Sequence, residues 1–558
     1  MFKIITILWA AALVFRPAFS HGQSVQSTYP AQNAVNIPST IAISATFDVD
    51  MDGNTINDNT FKVQARGVAP LSGLIVYDAP SRTATFEPGN PLTAGEVITV
   101  ILTEGILSAG GIPLTGGYLW SFTVAAAAGP GFISSYHPLA SGPFTRSIYP
   151  ADLNNDGHLD LATANNGSDA ISIFWGRGDG TFVPRVDYAV STAPWSVAAG
   201  DVDNDGDLDL VTANYLSFDI TVLSNDGAGI FTIVDTYPAG ERPEQITIAD
   251  FNNDGAPDLA TADSYSDEIS ILLNNGDGTF GSRMPYAAGT YPYAVIPFDL
   301  DDDGDLDLAV TNGDKQVVLL HGMGDGTFIL WVSYPVGSIP YTGYAADFNG
   351  DGHADLAVNN IFDNNISILL NQGDGTLAPG VTYATGLSPT AIIAADFDGD
   401  GDMDLAAPNA NSADISVLDG NGDGTFAAAV NHPVWDQPWA AVAADIDHDN
   451  DLDLLTVHYN STGMISILYN GCNCLGYGDV NLTGGINPVD VSIIVNLVYL
   501  QRDGRRQLGG CPGNNGDWNC DGTITPLDVA FYVNHVYRGW GAGPCDPCAC
   551  EPYPTGCP

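Results

Sequence analysis

"DVDNDGDLDL", residues 201–210, places five aspartates in ten positions of a chain in which only 15% of residues are charged. Such a stretch is either an acidic turn or a set of hard oxygen ligands held close together. It returns as "DLNNDGHLDL" from Asp152, "DFNNDGAPDL" from Asp250, "DLDDDGDLDL" from Asp299, "DFNGDGHADL" from Asp347, "DFDGDGDMDL" from Asp396 and "DIDHDNDLDL" from Asp445. Counted from Asp152, the spacings are 49, 49, 49, 48, 49 and 49. A period this strict marks an architecture of repeated supersecondary units.

A second element keeps step with the first. "GRGDGTF" ends at Phe182, "NNGDGTF" at Phe280, "GMGDGTF" at Phe328, "NQGDGTL" at Leu377 and "GNGDGTF" at Phe426, with a looser "NDGAGIF" ending at Phe231. Between the two elements lie β-type runs such as "ISILLNN" and "DLATA", without helical periodicity. A unit of this length with four short strands is the size of a propeller blade, so seven units predict seven blades. The seventh repeat stops at "ISILYNG", ending at Gly471, and lacks the "GDGTF" turn and the strand after it. Gly131 and Phe132 begin "GFISSYHPL" just as Phe182 begins "FVPRVDYAV". The N-terminal strand is therefore expected to complete the last blade, which removes an exposed edge.

Positions 1, 3 and 5 of each decapeptide carry Asp or Asn, position 6 is Gly in six of seven copies, and position 9 is always Asp. Calcium takes six to eight oxygen ligands, which alternate side chains of one loop can supply. The candidate ligands are Asp152, Asn154, Asp156 and Asp160; Asp201, Asp203, Asp205 and Asp209; Asp250, Asn252, Asp254 and Asp258; Asp299, Asp301, Asp303 and Asp307. They continue as Asp347, Asn349, Asp351 and Asp355; Asp396, Asp398, Asp400 and Asp404; Asp445, Asp447, Asp449 and Asp453. Gly at position 6 permits a left-handed turn, and Asn450, the one exception, tolerates it next best. Position 7 normally offers its carbonyl, so His158 and His353 need not be ligands. Acidic Asx turns would explain one copy equally well; seven copies with fixed positions favour the metal.

The unit "DFNNDGAPDLA…ISILLNNGDGTF" resembles the FG-GAP or VCBS-type repeat of integrin-α-like propellers and many bacterial exported proteins, over residues 131–471. The resemblance implies a propeller and calcium. It says less about function, because such propellers serve as adhesins, lectins and accessory domains of polysaccharide-degrading enzymes.

Six residues before each first Asp stand Arg146, Trp195, Glu244, Tyr293, Tyr341, Thr390 and Trp439, all but the first directly after Pro. Six residues of strand span about 20 Å, so on an innermost strand this ring would lie on the face opposite the loops. Trp195, Tyr293, Tyr341 and Trp439 are candidate ligand-binding residues, since aromatic rings on a concave face stack on sugars or anchor peptides. Packing between blades is the competing reading.

The totals fit a modular exported protein. A length of 558 residues predicts several domains, and 15 basic against 66 acidic residues give a net charge of −51, which disfavours nucleic acid and anionic membranes. Fifty-nine of the acids are Asp, 30 of them in the seven decapeptides, so half have a local reason and an acidic coat is needed only for the rest. "MFKIITILWAAALVFRPAFSHGQS" has Lys3, an apolar run from Ile4 to Phe15 and small residues at Ala18 and Ser20, the layout of a signal peptide over residues 1–20. No later apolar stretch reaches the roughly 18 residues needed to span a bilayer.

Residues 26–125 alternate apolar and polar with turn signals, which predicts a β-sandwich. "YPAQNAVNIPSTIAISATFDVDMD" and "TATFEPGNPLTAGEVITVIL" resemble the bacterial Ig-like domain of S-layer proteins, implying a spacer, and residues 126–130 read as a linker. Residues 477–540 duplicate a loop and helix, "DVNLTGGINPVDVSIIVNLVYL" and "DWNCDGTITPLDVAFYVNHVYR". The pair resembles a type I dockerin, which implies calcium ligands Asp479, Asn481, Thr483, Asn487 and Asp490, then Asp517, Asn519, Asp521, Thr525 and Asp528. Thr483 stands where Asp is usual, which weakens the first site. Pro488, Val489, Pro526 and Leu527 replace the familiar Ser-Thr pairs that read a cohesin, so a cohesin-like partner competes with another docking role. All eight cysteines lie between Cys472 and Cys557; export favours disulfides, with zinc at "CDPCAC" the alternative, and residues 541–558 form a Cys/Pro-rich tail.

The fold class expected is mainly β: a β-sandwich followed by a seven-bladed β-propeller, then a small α-helical calcium-loop (dockerin-like) domain. The function expected is that of a secreted, calcium-binding adhesion protein whose propeller holds a glycan or surface protein. The alternative is an enzyme, or a non-catalytic subunit of a complex, acting on extracellular polysaccharide. Such catalysis needs paired carboxylates or a base with a neutralising cation. Glu241 and Glu244 are the one local Glu pair, and a solvated loop explains them as well, so no catalytic residue is assigned. A purely structural coat is a third reading, distinguished by burial of the aromatic ring.

Overall fold

Alternation in stretches such as "IAISATF" and "FKVQA" turns one face of each strand inward, and the computed structural model, which describes residues 24–65, 70–127, 129 and 131–470, brings those faces together. Eight strands, β1 (Val25–Tyr29), β2 (Ala34–Ile37), β3 (Ile43–Phe47), β4 (Phe61–Ala65), β5 (Gly73–Asp78), β6 (Thr83–Pro88), β7 (Val97–Leu102) and β8 (Tyr118–Val124), form two sheets. Their orders are β1-β3-β6-β5 and β2-β8-β7-β4. Phe47, Phe61, Phe86, Trp120 and Phe122 fill the space between them, the β-sandwich expected of this segment. Among the described residues no helix is long and apolar enough to cross a membrane.

From β9 (Phe132–Leu139) onward the chain builds seven four-stranded antiparallel sheets. The first comprises β10 (Thr145–Ala151), β11 (Asp160–Asn165), β12 (Ala170–Phe174) and β13 (Val186–Ala189). The last comprises Pro438–Ala444, Asp453–His458, Ile465–Asn470 and β9, with Phe132 opposite Asn470 and Leu139 opposite Ile465. The strand preceding the repeats thus closes the final sheet, as the register of the sequence requires. First strands of successive sheets touch in a circle, β10 meeting both Pro194–Gly200 and Pro438–Ala444. The repeated sheets fit a propeller.

Burial follows position in the sheet. Every residue of the second strand is buried in each sheet, as in "DLATAN" of β11, because neighbouring sheets cover both its faces. The fourth strand, such as β13, is mostly exposed. Adjacent sheets are pinned at the "GDGTF" turn: Phe231, Phe280, Phe328 and Phe426 meet Tyr188, Tyr237, Tyr286 and Tyr383 of the preceding sheet edge to face, at 5.3–5.7 Å between ring centroids. Edge-to-face pairing at this range contributes beyond area burial alone.

The invariant Asp at position 9 opens the second strand and ties the sheet to its loop. Asp258 is fully buried; its Oδ2 accepts the Phe251 N–H at 2.9 Å and its Oδ1 the Asn274 N–H at 2.7 Å. The same two bonds recur at Asp160, Asp209, Asp307, Asp355, Asp404 and Asp453. One joins the start of the decapeptide, the other the turn after the third strand.

The sandwich does not stand off as a spacer. It sits across the decapeptide loops, with Ile101 and Leu119 packed in one core cluster with Phe251 and Leu306. Lys62 donates to Asn204 Oδ1 at 2.8 Å and to the Gly255 carbonyl, bridging the second and third loops. Asn33 Nδ2 donates to the Gly352 carbonyl at 3.1 Å, Asn253 Nδ2 to that of Gly116 at 2.9 Å, and the Ala127 N–H to that of Asn450 at 2.8 Å. Beneath lies a cavity of about 510 Å³, lined by first-strand residues such as Ser196, Ile248 and Val295 and by Gln64, Thr99 and Ser121 of the sandwich. The β2-β8-β7-β4 sheet therefore caps one end of the central channel.

Asp258→Asn keeps the shape but sets an amide NH₂ against a buried backbone N–H. Leaving that donor unpaired costs about 3 kcal/mol, so a lower urea midpoint at unchanged m is expected. An unaltered midpoint would show that the double bond does not hold the sheet.

Candidate metal loops and the face opposite them

Each decapeptide folds as nested Asx turns. The position-1 carboxylate accepts the N–H groups of positions 5 and 6, as Asp250 does from Asp254 at 3.2 Å and Gly255 at 2.7 Å. Asp152, Asp201, Asp299, Asp347 and Asp445 do the same, whereas Asp396 accepts from Gly399 and Gly401. Position 5 accepts from position 7 in all seven loops. A carboxylate offers about four acceptor sites, so these bonds leave oxygen lone pairs for a cation.

Two residues per loop, not one, are left-handed. Position 6 has φ of 72–97°, and position 4 has φ of 56–72° at Asn155, Asn204, Asn253, Asp302, Gly350, Gly399 and His448. Position 4 also links neighbouring loops where its chemistry allows. Asn155 donates to Asp207 and Asn253 to Asp305, each at 2.7 Å, and Asp302 pairs with His353. His448 and His158 meet where the seventh loop adjoins the first, with ring centroids 5.1 Å apart. His353 is thus engaged by Asp302 between loops, whereas His158 meets the His448 ring and its buried Nδ1 has no hydrogen-bond partner.

In four loops three carboxylates converge, with ligand atoms within 4.8 Å of one another: Asp201, Asp203 and Asp209; Asp299, Asp301 and Asp303; Asp396, Asp398 and Asp404; Asp445, Asp447 and Asp449. The loops from Asp152, Asp250 and Asp347 carry Asn154, Asn252 and Asn349 at position 3, an amide oxygen in place of a charge. Burial lifts the position-9 carboxyls, Asp160, Asp209, Asp355 and Asp404 to about 7, Asp258 to about 8 and Asp453 to about 9. At position 1 burial and then neighbouring acids raise Asp299 to about 8 and Asp201 to about 6. Asp447 Oδ1 and Asp451 Oδ1 are buried without a hydrogen-bond partner. Crowded acids with orphaned oxygens, and oxygen-only donors at positions 1, 3, 5 and 9, suit a hard cation of the calcium class. The candidate ligands Asp479 to Asp528 lie outside the described residues.

The opposite face is built by bulges. In five sheets the register shifts across one ring position: Arg146, Trp195, Glu244, Tyr293 and Trp439 each stand between two paired residues of the first strand. A bulge re-aims its side chain. Arg146 is buried, its Cζ 3.9 Å from the centroid of Trp195, 4.0 Å from Trp439 and 3.4 Å from Tyr459. Trp195 stacks on Tyr215 at 4.1 Å and donates from Nε1 to Tyr341 Oη at 3.2 Å; Tyr341 also meets Tyr293 and Trp439 at 5.3 and 5.9 Å. Burial pushes the Glu244 carboxyl up to about 7, against hydrogen bonds from Ser264 and Tyr341 and the charge of Arg146. All four aromatic candidates are brought together, but as the half-buried walls of an Arg-centred cluster.

Sequence reasoning overlooked the outer rim. Leu216, Phe218, Tyr265, Tyr291, Phe362 and Trp435 are exposed on the turns of this face, and Arg242 lies 3.6 Å over the Tyr265 ring. The signal was present: Tyr215 and Tyr459 each follow the last residue of a second strand, in "TANY" and "TVHY".

Residues 152–212, 250–310, 299–358 and 347–407 match the FG-GAP-like repeat, and residues 193–234 match the FG-GAP repeat. No curated protein matches the chain. Among solved structures, BBS1N in complex with ARL6DN is similar at 11% identity over 62% of this chain and 98% of that one, with a TM-score of 0.46. Virginiamycin B lyase from Staphylococcus aureus is similar at 15% identity over 61% and 99%, TM-score 0.42. An Agrocybe aegerita lectin that recognises non-reducing terminal N-acetylglucosamine is similar at 16% over 66% and 93%, TM-score 0.39. Residues 20–124 match the bacterial Ig-like domain, so the chain joins an Ig-like module to FG-GAP repeats, domains of an extracellular binding type.

Proposed function

We propose that this is an exported, calcium-binding adhesion protein whose seven-bladed propeller holds carbohydrate through the face opposite its metal loops. The observation that carries the reading is the exposed aromatic and apolar rim of Leu216, Phe218, Tyr265, Tyr291, Phe362 and Trp435 around the Arg146 cluster. Aromatic faces stack on sugar rings, and apolar and aromatic walls set with a few polar groups are the ordinary lining of a ligand site. The Ig-like module covers the loop face and leaves this one open. Residues 477–540 would then serve attachment to a partner, and residues 1–20 export. In the loops, Asp and Asn at positions 1, 3, 5 and 9 would hold calcium, which would neutralise acids that otherwise repel one another.

One observation favours a second reading, an enzyme acting on extracellular polysaccharide: Glu244, with its carboxyl near 7, has the protonation range of a general acid or base. Trp195 and Trp439 now read as structural walls more than as contact residues, since each touches the buried guanidinium.

On a glycan array, Tyr265→Ala combined with Trp435→Ala is expected to abolish binding with little change in melting temperature, whereas Trp195→Ala should lower the melt by several degrees. Retained binding in the double variant would sink the rim as the site. Polysaccharide cleavage by the wild type but not by Glu244→Gln would move the assignment to the second reading.

Calcium makes a separate prediction. A carboxyl raised in the folded state binds its proton more tightly there than in the unfolded chain. The stability it contributes is present below about pH 4 and lost as pH climbs through its lifted value. In EDTA the melting temperature should therefore fall between pH 5 and 8, the window set by carboxyls at about 6 to 8, and calcium should flatten the slope. A melt at pH 8 indifferent to chelation would rule out calcium in these loops.

A further inference from the structure

The fourth loop differs from the others in one ligand type. At the residue before the turn whose N–H meets the position-9 Asp, the seven sheets carry Trp175, Ser224, Leu273, His321, Leu370, Asp419 and Tyr469. Only the fourth sheet places an imidazole there. His321 Nδ1 lies 3.0 Å from Asp307 Oδ1, and Asp301, Asp307 and His321 bring one ligand atom each within 4.8 Å of one another. The Trp331 ring meets the imidazole edge to face, 4.8 Å between centroids, and fixes its plane. Asp307 is held by the Leu300 and Gly322 N–H groups, and the His321 side chain is 23% exposed, so the cluster is both preformed and reachable.

We infer that Asp301, Asp307 and His321 form a site for a borderline divalent ion of the zinc class, distinct in preference from the oxygen-only loops. Calcium gains little from imidazole, whereas zinc, nickel and copper favour it over water or carbonyl oxygen. In a tetrahedral zinc site with bonds of about 2.0–2.1 Å the ligand atoms stand about 3.3 Å apart, so the His321–Asp307 pair needs to open only slightly to admit the ion. Two carboxylates and one neutral imidazole leave the fourth position to water, with a charge closely balanced by the cation. Asp301 and Asp307 are also positions 3 and 9 of the fourth loop, so an ion bound here competes with calcium for two carboxylates. The fourth loop would exchange calcium for zinc while the other six would not.

The test uses the full chain under saturating calcium, with His321→Leu as the variant. Leucine stands at the equivalent Leu273 and Leu370, so the substitution copies a residue the fold already accepts. Zinc content after dialysis against zinc and gel filtration is expected to be one ion per chain lower in the variant. Cobalt(II) added to the wild type should give the visible absorption of a four-coordinate nitrogen and oxygen site, absent from the variant. Any zinc held by the cysteines of the C-terminal segment is common to both proteins and cancels. Equal zinc content with equal cobalt spectra would overturn the inference. The readout does not depend on calcium occupying the other loops, so the calcium reading and this one can fail separately.

Discussion

Everything in the repeated part of the molecule hangs on a buried carboxylate with two backbone partners. The position-9 aspartate, Asp258 in the third sheet, receives one N–H from the start of its loop and one from the turn two strands later. A neutral side chain of similar size could accept one such bond but would oppose the second with a donor. A charge in a buried place is costly, and its cost is met locally by both hydrogen bonds and, in the reading proposed above, by a cation a few ångströms away. The same residue therefore fixes the loop, the second strand and the outer turn at once, which is a reason for it to be Asp, like positions 1 and 5, in all seven copies.

Charge is distributed unevenly around the ring. Four loops gather three carboxylates and three replace the central one by asparagine, so the seven positions are not electrostatically equivalent even though their backbones are. Loop-to-loop contacts vary in the same way. Where position 4 is asparagine and the next position 7 is aspartate, the two hydrogen-bond directly. Where position 7 is Ala256, Asn204 has no such neighbour, and Lys62 of the Ig-like module reaches it instead. One of the module's contacts thus uses an irregularity in the repeat, beside those it makes to regular loop positions such as the Gly255 and Gly352 carbonyls.

The repeat period, the turn chemistry and the missing fourth strand of the seventh repeat were legible in the sequence because each is a local pattern copied several times, and copying separates signal from composition. Position 4 is hard to read from sequence because Asn, Asp, Gly and His all tolerate its left-handed backbone, and so no single letter runs through all seven copies. The double role of position 9 was hidden because a carboxylate at a loop end reads as a ligand whether or not it also holds the backbone. In sequence Arg146 is one of three non-aromatic members of the seven; its place at the centre follows only once the bulges turn Trp195 and Trp439 onto it. The seat of the Ig-like module rests on pairs such as Lys62 and Gly255, nearly two hundred residues apart, which no periodicity encodes.

The closing sheet has a mechanical meaning. Phe132, where the chain enters the ring, lies opposite Asn470, where it leaves, so tension applied between the two ends pulls on the same end of one antiparallel pair. That geometry opens like a zipper, one hydrogen bond after another, instead of resisting in shear along the whole strand. The contact of Ala127 with Asn450, just upstream of the entry point, transfers part of such a load to a loop rooted in the neighbouring strands. A ring attached at both ends would therefore withstand pulling only as long as its cap stays seated, and the cap becomes the clasp that decides at what force the circle opens.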